Sequence, residues 1–160
     1  MTQTDLRVIE FLNEFKIART STLAQLFYQS QRAAQRRLHA LAASGKIKRI
    51  MAGEYLYFTK MPKQTLHALT LTDYIRDVSK RARIDVMQAE YKCGGVRCDA
   101  LLVVNGIPKF IEVQLSGPPD TQKYTHLKLS QDWRKHFKVF PEPVYVGGSS
   151  YVSAMNCTGC

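Results

Sequence analysis

Two residues constrain this chain more than any others: Asn105-Gly106, set between the apolar runs ALLVV and IPKFIEV. Asn-Gly is the favoured pair for a two-residue type I′ hairpin turn, in which both central residues take positive φ. If that turn forms, Val104 faces Ile107, and the remaining partners follow by counting outward. Val103 meets Pro108, Leu101 meets Phe110, and Asp99 meets Glu112. Val104/Ile107 is then a hydrogen-bonded pair and Val103/Pro108 a non-hydrogen-bonded one, so Pro108, with no N–H, loses nothing there. Alternation sorts the side chains. One face carries Asp99, Leu101, Val103, Phe110, Glu112 and Gln114; the other carries Ala100, Leu102, Val104, Ile107, Ile111 and Val113. Both faces are largely apolar, which predicts central strands covered on both sides.

Carboxylates facing each other across such a pair lie roughly 4.5–5.5 Å apart at Cβ. They repel, and partial burial makes the repulsion worse. A divalent cation would relieve it, as would a nearby arginine such as Arg97 or a shared proton. Hard oxygen donors favour Mg²⁺ or Mn²⁺. Glu90 joins Asp99 and Glu112 if Cys93–Val96 forms a four-residue loop closing on Lys92 and Arg97.

Residues 61–66, MPKQTL, read as a linker with Pro62 as breaker, followed by a second domain over 67–160. HALTLTDYIRDVSKRA predicts a helix and IDVMQAEYK a strand. Beyond SGPPD, TQKYTHLKLSQDWRKHF predicts a helix capped by Thr121 or Asp120, and a last strand lies near Pro143–Val146. The order αβββαβ describes a small α/β domain with a mixed sheet.

The front sixty residues have a different texture. Leu6, Ile9, Leu12 and Phe15 recur at helical spacing, with Thr4 as N-cap. TSTLAQLFYQ predicts a second helix capped by Thr20 or Ser21, with Leu23, Leu26 and Phe27 inward. A third starts after Ser30 and ends at Gly45, a C′ glycine. KIKRIM and EYLYFTK then form a hairpin around Ala52-Gly53. Three short helices and a hairpin over 1–60 predict a winged helix-turn-helix. With Leu38 inward, Arg32 and Arg36 of the third helix point outward, flanked by Gln35 and His39, with Arg37 nearer the flank. Small alanines at 33, 40 and 43 permit close approach, and Arg and Gln are the residues that read base edges. Lys46, Lys48 and Arg49 fall at the wing base, in position for phosphates. A solvated helix face, or a winged helix used for protein contacts, would look similar.

Net charge is +10, and residues 1–60 hold ten Lys or Arg against four Asp or Glu. Charge of this sign gathers polyanions, although it also merely keeps a protein soluble. No apolar run reaches the roughly 18–20 residues that span a membrane, and the N-terminus has no signal-peptide core. A cytoplasmic protein is therefore expected. Cysteines stand as Cys93-x4-Cys98 and Cys157-x2-Cys160. Four thiolates so paired could hold a structural Zn²⁺, with free thiols the simpler alternative. Walker, G-x-S-x-G and H-E-x-x-H motifs are absent from the sequence. Trp133 fits a core position.

An Asp on one strand, Glu-x-Gln on the next and helices on either side resemble the PD-(D/E)xK nuclease fold. That resemblance implies that Asp99 and Glu112 are metal ligands and that Gln114 stands in the catalytic lysine's place. A lysine from the following helix, Lys123 or Lys128, could supply the missing charge. AQRRLHALAASGKIKR followed by RCDALLVV, FIEVQLS and KYTHLKL is similar to the replication-relaxation family of plasmid and mobile-element proteins, over most of the chain. This implies double-stranded DNA as partner and a role as regulator or accessory factor in replication or transcription. Two alternatives stand beside it. One is a Mg²⁺-dependent endonuclease using Asp99 and Glu112 with Gln114 or Lys128; the other is a protein-interaction module. A homodimer fits any of the three.

Overall fold

The computed structural model describes residues 1–147. They form a mixed α/β protein with five α-helices, divided into two compact units at Arg81/Ala82. Among the described residues no helix is long and apolar enough to cross a membrane.

In the first unit, α1 (Gln3–Phe15) begins two residues earlier than the sequence spacing predicts. Thr2, rather than Thr4, is the N-cap. Its side chain accepts from the Asp5 amide while Asp5 accepts from the Thr2 amide, a reciprocal capping box. The buried face is Asp5, Val8, Phe11, Leu12 and Phe15, and Leu6 is exposed. The inward stripe is thus rotated relative to the predicted one, and it carries the buried Asp5 carboxylate, which pairs with the partly exposed Arg37.

Strand β1 (Ile17–Arg19) follows directly and was not predicted, being three residues between two helices. Helix α2 (Thr20–Phe27) is capped by neither Thr20 nor Ser21. The Thr20 hydroxyl donates to the Tyr55 carbonyl, and the Ser21 amide donates to Glu54 Oε1 at 2.9 Å. A distant carboxylate thus caps this helix. Helix α3 (Gln31–Ala43) matches expectation: Ser30 caps it, and Gly45 at φ +76° ends it. There the Gly45 amide bonds Ala42 and the Lys46 amide bonds Leu41, the Schellman pairing that a left-handed residue allows.

β2 (Lys48–Ala52) and β3 (Glu54–Phe58) form the predicted hairpin, and β1 adds antiparallel to β3, giving the order β1-β3-β2. Val8, Leu12, Ile17, Leu23 and Leu38 are fully buried, each contributing about 1.5–3 kcal/mol by removal from water.

Helix α4 (Thr65–Ser79) belongs to this first unit, so the compact units do not divide at 61–66. The reason is specific: Thr72 donates to the Ile17 carbonyl at 2.9 Å, Asp73 pairs with Arg19 at 3.0 Å, and Ala68 and Leu69 pack with Ile17, Leu56 and Phe58.

The second unit is a four-stranded mixed sheet built from β4 (Ile84–Ala89), β7 (Ala100–Val104), β8 (Ile107–Val113) and β9 (Glu142–Val146), in that order. Only β8 and β9 run parallel. A two-residue ribbon, β5 (Lys92–Cys93) with β6 (Val96–Arg97), interrupts the chain between β4 and β7.

The Asn105-Gly106 turn is as predicted, with φ +50° and +80°, and so are the pairs Val104/Ile107, Val103/Pro108 and Leu101/Phe110. Asn105 Oδ1 accepts from the Arg83 amide and Asp85 accepts from the Gly106 amide, pinning the turn. Ala100, Leu102 and Ile111 are buried on one face. On the other, Leu101 and Phe110 enter a core with Tyr124, Leu127 and Trp133.

Helix α5 (Gln122–Ser130) is shorter than predicted. Gln131 at φ +62° breaks it before a 3-10 turn over Asp132–Lys135. Asp120, not Thr121, bonds its first turn, through the Gln122 amide at 3.2 Å.

Candidate nucleic-acid interface and acidic cluster

On α3, Ala34, Leu38 and Leu41 are buried, which turns Arg32, Gln35, Arg36 and His39 outward, all exposed. Neither Arg32 nor Arg36 makes an ion pair among the described residues. Lys46 and Lys48 are exposed at the start of the hairpin. Arg37 departs from the expected DNA-facing set. Its guanidinium bonds both oxygens of Asp5, whose carboxylate is fully buried. Burial by itself would raise the Asp5 carboxyl, but the Arg37 bond, with the Thr2 amide and hydroxyl, leaves its pKa below the ordinary value.

Arg49 is held rather than free. Its guanidinium carbon lies 4.2 Å from the Tyr55 ring centroid, a cation–π contact. The partners are diagonal neighbours across β2 and β3, since Arg49 pairs with Tyr57 and Met51 with Tyr55. Nη1 of the same guanidinium lies 3.1 Å from His39 Nδ1. These side chains rim a cleft of about 390 Å³ between α3 and the hairpin, with Gln31, Gln35 and His39, spaced four apart, along its helical wall.

In the second unit the two predicted acids stand at one end of the β7–β8 ladder, but they do not simply face each other. The Asp99 amide donates to the Ile111 carbonyl, the residue that Ala100 already faces, so the ladder slips by one in the manner of a bulge. Asp99 Oδ2 accepts from the Val113 amide at 2.7 Å. Glu112 Oε1 accepts from Lys123 Nζ at 2.6 Å and from the Tyr124 hydroxyl. Burial, then the Glu112 bond, push the Tyr124 phenol far above its usual range. The Tyr145 hydroxyl, on the residue paired with Glu112, is buried without a hydrogen-bond partner among the described residues; burial and the Glu112 charge raise its pKa.

Lysine placement separates the two candidates on α5. Lys123 reaches Glu112, whereas Lys128 pairs with Glu142 at 3.1 Å and lies over the Phe140 ring. Five residues along a helix is a turn of about 140°, so only one of them can address the acids. Gln114 donates its side-chain amide to the carbonyls of Ser116, Gly117 and Pro118, closing the loop after β8.

Glu90 is drawn away. The ribbon does close through Lys92/Arg97, and the Glu90 amide bonds the Asp99 carbonyl. However, Glu90 takes φ +53°, leaves the strand alternation, and pairs with Arg97 at 2.7 Å. Among the described residues no group of three or more His, Cys, Asp or Glu side chains is gathered in a way that could hold a metal ion.

Cys93 and Cys98 are buried free thiols in the aromatic core. Cys98 donates to the Ala100 carbonyl at 3.3 Å, and burial, with the Glu112 and Asp99 charges, raises its pKa to about 12. Cys157 and Cys160 lie outside the described residues. Trp133 is a core residue, its indole N–H donating to the Lys128 carbonyl.

Three participants escaped the sequence reading: Asp5, Tyr55 as the partner of Arg49, and Tyr124. The signal for Tyr124 was present, since Tyr124 and Leu127 form the apolar stripe of α5. Protein-family models, curated proteins and solved structures were each compared with this chain, and none matches it.

Proposed function

We propose that this protein binds duplex DNA through its first unit, used as a winged helix with α3 as recognition helix. In this reading it acts as a regulator or accessory factor in replication or transcription of a plasmid or mobile element. The observation that carries the reading is the exposed Arg32/Arg36 stripe on α3, without an ion-pair partner among the described residues, flanked by Gln35 and continued by Lys46 and Lys48. Unpaired guanidiniums on a helix of modest bulk suit phosphates and guanine edges, and the net charge of +10 would draw the protein onto a polyanion. The second unit then serves as a PD-(D/E)xK-like scaffold for further DNA or partner contacts. Fluorescence anisotropy with a labelled duplex tests this. Arg32→Ala with Arg36→Ala should weaken binding and flatten its salt dependence; unchanged binding would remove α3 from the interface.

A specific observation also favours a second reading, a metal-dependent endonuclease: Lys123 stands 2.6 Å from Glu112 and would supply the charge that Gln114 does not. Two carboxylates at one ladder end fit a hard cation in kind. Asp99 and Glu112 would hold Mg²⁺ or Mn²⁺, which supplies charge neutralisation at a phosphodiester. Supercoiled plasmid incubated with either ion, beside an Asp99→Ala control, decides it. Nicking lost in the control supports hydrolysis, and intact plasmid in both leaves binding alone.

A further inference from the structure

Three cations of the second unit are left over once its acids have been answered. The segment 122–138 holds five Lys or Arg against a single acid, Asp132. Two of the five are taken: Lys123 by Glu112 at 2.6 Å and Lys128 by Glu142 at 3.1 Å. Asp132 is turned toward the β5–β6 ribbon, where a Cβ added at Gly94 would stand 2.9 Å from the Asp132 Cβ and 3.4 Å from its Oδ2. Arg134, Lys135 and Lys138 remain, all exposed and without an ion-pair partner among the described residues.

Packing turns these three outward together. Gln131 at φ +62° stops α5. The chain then curls tightly, with the Arg134 amide bonded to the Gln131 carbonyl and the His136 and Phe137 amides to that of Trp133. Trp133 and Phe137 are anchored in the aromatic core, their rings 5.5 Å from Phe140 and 5.9 Å from Phe110. With both anchors inward, Arg134 and Lys135 between them and Lys138 after them face solvent. The Arg134 guanidinium carbon lies 5.2 Å from the Trp133 ring centroid, a contact that keeps this cation near the turn. Lys123, beside Glu112, sits in the first turn of α5, and the cationic turn follows its last; nine residues at 1.5 Å each put about 13 Å of helix between the two. The group is therefore separate from the acidic ladder end.

Resting on the duplex-binding reading above, we propose that Arg134, Lys135 and Lys138 form a second DNA-contact surface, on the second unit, which holds the phosphate backbone without reading bases. Three cations rooted within about one helical turn of chain suit a duplex that carries one charge per about 1.7 Å of axis. Two of them are lysines, point charges on flexible stems without the planar fork that recognises guanine. A single turn also offers no length of helix to lie along a groove, so the contact is to backbone.

The test measures affinity of the full chain for labelled duplexes of two unrelated sequences by anisotropy, from about 50 to 200 mM salt. The triple variant Arg134→Ala, Lys135→Ala, Lys138→Ala should have a salt slope shallower by about two to three. Its affinity should fall on the order of tenfold or more at low salt, to the same extent for both sequences, and the gap should close as salt rises. The charge-keeping set Arg134→Lys, Lys135→Arg, Lys138→Arg should retain the wild-type slope, and far-ultraviolet circular dichroism checks that both variants are folded. A slope unchanged in the alanine variant overturns the proposal. An equal loss in the charge-keeping set does so too, because it would trace the effect to the structure of the turn. If the alanine variant loses binding only to vesicles containing phosphatidylserine, the surface serves an anionic membrane and the proposal again fails. Failure of the recognition-helix reading looks different: the Arg32→Ala, Arg36→Ala pair would leave duplex affinity unchanged while the triple variant still lowers it.

Discussion

The arginines of α3 and the acids of the β7–β8 ladder end are handled in opposite ways. On α3 of the first unit, Arg32 and Arg36 are exposed and have no ion-pair partner among the described residues. In the second, Asp99 accepts from a main-chain amide and Glu112 from Lys123 and Tyr124. Cations without a partner contribute little to folding and remain available to an outside anion, whereas acids answered from within are part of the packing. The same contrast exists inside the first unit. Arg37, one position along from Arg36, is tied to the buried Asp5 and so belongs to the fold. A charged residue's function here follows from whether the protein itself has already neutralised it.

The sharpest way to break the contrast is the Arg32→Ala, Arg36→Ala pair. If each cation contributes about 1–3 kcal/mol to binding, duplex affinity should fall on the order of a hundredfold. Thermal stability should stay within about 0.5 kcal/mol, as for surface positions generally. Loss of stability without loss of affinity would place these arginines with Arg37 in the fold.

Glu112→Ala tests the other side. Removing the carboxylate leaves the buried Tyr124 hydroxyl without its acceptor and Lys123 without its ion pair. The uncompensated hydroxyl should cost about 1–3 kcal/mol, read as a lower melting temperature in calorimetry. Glu112→Gln, which keeps an acceptor oxygen, should recover much of it. If Glu112→Ala is neutral or stabilising, the acid is not structural, and its retention would have to be explained by a metal or a substrate.

Within the first unit, Ser30→Ala separates presentation from contact. Ser30 caps α3 through the Ala33 amide at 3.1 Å, and its loss should cost about 1 kcal/mol of stability while the arginine stripe itself is untouched. Affinity measured well below the melting temperature should change far less than in the double-arginine variant.

How much of this was legible beforehand follows the range of the forces involved. The Asn105-Gly106 turn, the pairing out to Leu101/Phe110, and α3 with its Ser30 and Gly45 ends are written in neighbouring residues, so local rules find them. The membership of α4 in the first unit depends on Thr72 and Asp73 meeting Ile17 and Arg19, more than fifty positions apart in sequence. No local pattern encodes that. The acid pair shows the boundary between the two cases. Alternation brought Asp99 and Glu112 to the same ladder end, but the slip at Asp99 is set by the main-chain bond to Ile111, accompanied by a side-chain bond to Val113. Arg37 likewise looked like one more outward cation, because a buried partner on α1 is invisible from α3 alone.

That buried partner yields the smallest and most specific effect, a dependence on pH. The Asp5 carboxyl has a pKa below its ordinary value in the folded protein, because the Arg37 and Thr2 bonds outweigh the burial that would raise it. A depressed carboxyl stabilises the fold fully above its unfolded pKa of about 3.9. That contribution is lost as pH falls through the lower folded value. Asp5→Asn removes the titrating group while keeping an amide able to meet the Thr2 backbone. The melting-temperature gap between wild type and Asp5→Asn should therefore be constant from about pH 8 to 5 and narrow below about pH 4. A gap that stays open in acid would mean that the carboxylate's charge is not what Arg37 recognises. Arg37 would then have to be counted again with Arg32 and Arg36, among the cations left for an external partner.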